Sequence, residues 1–134
     1  MALWSGWIAA LAFALAAAVP LGARLRLGRR APPASSVIRA HVVIGLTTSA
    51  AAFLHTILVL PELGSPAATG AGPLAIAPAG LAFFLLVAHA GLGLQLRDER
   101  LKTRASTRRR HAMTAMGIAI ALSLHVVTLE MAKR

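Results

Sequence analysis

No cysteine occurs among the 134 residues, which excludes structural disulfides, cysteine-ligated iron–sulfur clusters and the C-x-x-C-H attachment of a c-type haem. Acidic side chains are scarce too: four Asp and Glu stand against fourteen Lys and Arg, for a formal charge of +10. Such an excess raises the question of nucleic acid. No aromatic-rich basic face accompanies it, aromatics being only 4% of the chain, and the arginines flank apolar runs, so nucleic-acid binding is set aside. Charged residues make up 13% and apolar residues 57%, with the charges gathered in blocks, which is the profile of a polytopic membrane protein. Spans of about 20 residues with short connections use up this length. The expectation is one all-α membrane domain, residues 1–134, with no room for a soluble catalytic domain.

Residues 3–21 (LWSGWIAALAFALAAAVPL) form the first apolar run, dense in alanine, which lets helices approach closely in lipid. A secretory signal peptide is the competing reading, but no positive region precedes the run and a basic cluster follows it. Trp4 and Trp7 suit the membrane interface at one end, and Pro20 is expected to help end the helix at the other. Next come Arg24, Arg26, Arg29 and Arg30, a Pro-Pro break and a Ser-Ser pair suited to capping a new helix. That second helix is expected over 37–60, stopped by Pro61. Residues 62–72 (ELGSPAATGAG) lack Lys and Arg and read as an outer loop. A third helix follows over 73–96, with Pro78 in its first turns as a source of a kink. The stretch RDERLKTRASTRRR is the strongest cytoplasmic signal in the chain. A fourth helix is expected over 110–129.

Two of these runs carry the same motif. His41 and His55 are fourteen residues apart, and so are His111 and His125. Fourteen helical steps fall about 40° short of four turns and rise about 21 Å, so the two histidines of a pair share one face. Gly45, Thr48 and Ala52 lie between His41 and His55 on that face. A glycine four residues after a ligand gives a macrocycle room against the helix, whereas ordinary small-residue packing is the plainer explanation. Ionisable residues inside a bilayer are costly and are functional suspects.

Loop charge predicts four spans in an up-down-up-down bundle of the cytoplasmic membrane, with basic loops inside and both termini outside. Helices two and four then run in the same direction. His41 comes level with His111, and His55 with His125, so four imidazoles at two depths can make two bis-histidine sites. A histidine-lined metal or proton path, or histidines that bond helix to helix, are the alternatives.

With these motifs the chain resembles the di-haem b-type cytochromes, among them cytochrome b of quinol-oxidising complexes and ferric-reductase-like transmembrane proteins. In size it is similar to small four-helix bacterial cytochromes that exchange electrons with quinones, including the superoxide oxidases. The resemblance covers about residues 37–129. It implies two non-covalent haems b, with His41, His55, His111 and His125 as axial ligands to iron. The chain departs from the family pattern in having no flavin- or nicotinamide-binding domain and no evident quinone-site signature.

His89 has no partner at the repeated spacing. It is a candidate to bond a haem propionate, to line a quinone pocket or to replace an inner ligand, and a supporting place beside the ligands is favoured. Arg39 and Arg110, each close to an inner histidine, are candidates to neutralise propionates. Bis-histidine iron has no open position, which points to outer-sphere electron transfer. Two classes of role follow: a redox enzyme acting on a small substrate such as a quinol or superoxide, and a haem-carrying subunit of a respiratory or photosynthetic assembly. A quinone or a redox protein is the expected partner, besides lipid and, in an assembly, other subunits or copies of the chain. A non-haem structural or transport protein is the third class.

Overall fold

A computed structural model of the chain describes residues 2–63 and 73–132. Four long helices account for nearly all of them: α1 (Ala2–Leu27), α2 (Ser36–Val59), α3 (Pro73–Gln95) and α4 (Arg104–Met131). One 3₁₀ turn, Leu60–Glu62, follows α2. Each helix is long and apolar enough to cross a membrane, and helices are suited to that task because they satisfy their backbone polar groups internally. At 1.5 Å per residue even the 23-residue α3 is about 34 Å long, enough for a hydrocarbon layer of about 30 Å.

Large apolar side chains cover much of the outside. Trp4 is 74% and Phe84 73% exposed, while the buried core includes Ala16 and Ala121. In water this surface would be a liability; against acyl chains it costs nothing, and small residues let the helices close up. At Gly117 a Cβ would stand 3.0 Å from Leu85 Cδ1, so a larger residue there would press on the Leu85 side chain of α3. The bundle consists of two antiparallel hairpins. α1 packs along α2 and α3 along α4, and the hairpins meet mainly through a much smaller contact of α2 with α3. Phe53 and Phe83, stacked with centroids 6.3 Å apart, lie in that contact.

The sequence-based boundaries shift at two places. Pro20 does not end α1, which continues to Leu27. A proline inside a helix removes the N–H that would bond the carbonyl four residues earlier, here that of Ala16. That carbonyl instead accepts a hydrogen bond from His41 Nδ1 at 2.8 Å, so a neighbouring helix supplies the missing donor and the helix carries on. Its stop is Gly28, at φ +62, a left-handed conformation that glycine adopts without Cβ strain.

α4 starts at Arg104, not Arg110, because the basic segment is tied to the end of α3. The Arg104 guanidinium donates to the carbonyls of Leu96 and Asp98, and Thr107 is buried beside Thr103. Elsewhere the reading and the structure agree closely. Ser35 caps α2, its hydroxyl accepting from the Ile38 N–H, and Pro61 sits in the 3₁₀ turn that closes it. The outer loop expected over 62–72 falls, beyond Leu63, outside the described residues.

Candidate functional site

Because α2 and α4 run in the same direction, His41 and His111 reach the same depth, one to two turns in from the basic end. Their ring centroids are 6.1 Å apart with the planes nearly perpendicular, at 86°. His89 of α3 joins them. Its ring stacks on that of His111 at 3.7 Å and 14°.

All three rings are held through Nδ1. His41 Nδ1 meets the Ala16 carbonyl. His89 Nδ1 meets the His111 carbonyl at 3.0 Å and Thr114 Oγ1 at 2.9 Å, and His111 Nδ1 meets the His89 carbonyl at 3.1 Å. A carbonyl oxygen only accepts, so in each neutral ring Nδ1 carries the proton and Nε2 keeps its lone pair. This tautomer is the one a metal-ligating histidine needs when its other nitrogen is anchored to backbone. Gly93 makes room for the arrangement, since a Cβ there would lie 3.2 Å from His111 Cε1.

A cavity of about 850 Å³ opens between the two hairpins at this level, with His41, His89 and His111 in its wall. That is within the range of roughly 300–1,000 Å³ for ligand pockets. Gly45 is also in the wall, and nothing lies within 4 Å of where its Cβ would stand. Close helix packing therefore does not account for Gly45; it borders open space. Toward the basic end the wall changes character and contains Arg24, Arg30, Arg97, Arg104, Arg108 and Arg109.

Other residues singled out from the sequence lie elsewhere. Thr48 is 2% exposed, returns its hydroxyl to the Ile44 carbonyl and belongs to the packed interior rather than the cavity wall. Arg39 and Arg110 are exposed and are not among the cavity-lining arginines. His55, in the half of the bundle away from the basic loops, turns to α1: its Nδ1 is 2.9 Å from Ser5 Oγ, and Gly6 makes way for the ring, with a Cβ there 3.1 Å from His55 Cε1. His125 is half-buried in that same half, and its carbonyl accepts from Thr128 Oγ1.

At the end toward the basic connections the residues fit haem in three respects. His41 and His111, from two helices at one depth, have ring centroids 6.1 Å apart, close enough for both imidazoles to reach one ion. The cavity has ligand-sized volume beside a glycine with free space. Its arginines lie where acidic substituents would face the membrane surface. Among the described residues no group of three or more histidine and carboxylate side chains is arranged to hold a bare metal ion.

Comparison with family models, with curated proteins and with solved structures finds no match.

Proposed function

We propose that this chain is a membrane electron carrier that binds b-type haem non-covalently between its two hairpins. The observation that carries the reading is the inner cavity, where level histidines from α2 and α4 sit beside Gly45 with arginines at the mouth. His41 and His111 would hold that haem's iron. An outer haem on His55 and His125 rests on the repeated spacing.

Haem held by two histidines would supply a reversible one-electron couple. The chain's own groups do the rest. The carbonyls of Ala16 and His89 fix the ligand tautomers and make each Nε2 a better donor. His89 braces His111 by stacking and through Nδ1. Apolar walls exclude water, and the arginines offset negative charge at the mouth. A quinone in the bilayer or a redox protein at one face is the proposed exchange partner, as substrate of a small oxidoreductase or within a larger respiratory or photosynthetic assembly.

The test is a reduced-minus-oxidised spectrum with haem counted per chain. Haem-replete expression should give an α-band on reduction and two haems per chain; protein without an α-band would end the cytochrome reading. A quinone analogue that changes haem oxidation kinetics favours the stand-alone enzyme, and one that does not favours the subunit.

The membrane is proposed to be the cytoplasmic one, with the connections that carry the arginines facing the cytoplasm. Cysteine placed at the exposed Ser106 should react with a membrane-impermeant maleimide only after the cytoplasmic side is opened, and cysteine at Glu62 should react in intact cells. The reverse pattern would invert the orientation.

A further inference from the structure

Topology asks only that basic residues stay on one side of a membrane; it does not ask them to surround a cavity. Six arginines do so. Arg24 comes from the end of α1, Arg30 from the α1–α2 connection, Arg97 from just beyond α3, and Arg104, Arg108 and Arg109 from the first turns of α4. Arg26, Arg39 and Arg110 are as close in sequence and do not line it. Among the described residues no carboxylate lines the cavity. Of the acids at this end, Asp98 uses Oδ1 to accept from the Arg100 N–H, and Glu99 is exposed.

A haem's two carboxylates would offset two of the six charges, leaving four, so the surplus holds with or without haem. The histidines lie deeper than the arginines, and beside the arginines the wall carries the exposed Leu21 and Leu94. Cationic mouth and apolar wall together describe a receptor for an amphiphile. Basic pockets between membrane helices on the cytoplasmic side suit anionic lipid headgroups.

We propose that the mouth of this cavity binds the headgroup of an anionic phospholipid. The phosphate lies between arginines of the first hairpin, Arg24 and Arg30, and those of the second, Arg108 and Arg109, so the lipid ties together two hairpins that touch each other sparingly. Arg104, already bonded to the carbonyls of Leu96 and Asp98, positions the connection. A free phosphate shares the headgroup chemistry but has no acyl chains to lie over Leu21 and Leu94, which are exposed beside the arginines at the mouth, and that makes the lipid the occupant.

The experiment is native mass spectrometry of the purified full chain after exchange into equimolar phosphatidylglycerol and phosphatidylcholine of matched chains. Wild type should retain phosphatidylglycerol through delipidation that strips phosphatidylcholine. Arg24→Gln with Arg30→Gln, and separately Arg108→Gln with Arg109→Gln, should each weaken retention roughly thirtyfold. Arg26→Gln with Arg39→Gln removes the same charge from residues outside the cavity wall and should leave retention unchanged. Equal retention of the two lipids, or equal loss in the control pair, would overturn the proposal. Where a lining pair fails to insert, the wild-type protein still decides: displacement of the lipid by inorganic phosphate would assign the site to a soluble anion and overturn it, and retention against phosphate supports it.

Discussion

Proteins carrying His41→Ala or His111→Ala are expected to purify with one haem per chain in place of two, the same haem being lost in both. Each removes one of two imidazoles whose centroids are 6.1 Å apart, and on the proposed reading one of them alone would not hold the haem. His41→Ala should carry an additional cost. It leaves the buried carbonyl of Ala16, already deprived of its helical partner by Pro20, without the donor it has in the native protein, a loss of about 1–3 kcal/mol in stability. Adding Pro20→Ala restores a backbone N–H for that carbonyl. The double variant should therefore recover thermal stability without recovering haem. If haem returns with stability, His41 acts by packing alone. His89→Ala should keep both haems and shift the potential of one, because its Nδ1 and ring brace His111 without being assigned to iron. Loss of a haem in His89→Ala, with both kept in His111→Ala, would make α3 the source of the ligand.

Why some of this was legible in the sequence and some was not comes down to range. Four apolar runs and their capping residues are local signals, and the four helices follow them. The matched spacing of His41 with His55 and of His111 with His125 is also local. Charge asymmetry gave the parity that brings His41 level with His111, and the structure places those rings at one depth.

Pro20 is legible in the sequence, but its consequence is not. Its effect depends on whether another helix offers a donor to Ala16, a tertiary fact. The signal was available in principle, since a proline within an apolar run marks an orphaned carbonyl and a histidine is a donor that can reach it. His89 against His111, and the room that Gly93 leaves for the ring, require the pairing of α3 with α4. No periodicity in one helix reports that. The arginines were read for topology, where only their side of the membrane counts; which ones turn to the cavity depends on Arg104 holding the connection and on α4 starting six residues earlier than its apolar pattern suggests.

Gly45 separates the two explanations of small residues on α2, and its substitution has the second large expected effect. A glycine that lets helices pack resists enlargement, whereas a glycine that borders a ligand site tolerates it until the ligand is required. Gly45 has nothing within 4 Å of its Cβ direction and lines the cavity. Gly45→Leu should therefore leave the bundle folded and even raise the stability of the haem-free protein, since glycine costs a helix about 0.8–1 kcal/mol relative to alanine and leucine nearly matches alanine. The same side chain would fill space that the haem proposed for this cavity needs, so haem content should fall to one per chain. Gly117→Leu is the contrast. Its Cβ would meet Leu85 at 3.0 Å, and overpacking of this kind typically costs about 1–3 kcal/mol, so it should lower the melting temperature of the haem-free protein. The checks are melting curves of haem-depleted protein and the α-band after haem is added back. Full haem content in Gly45→Leu would move the cofactor out of this cavity, and a large loss of stability in the haem-free variant would return Gly45 to helix packing.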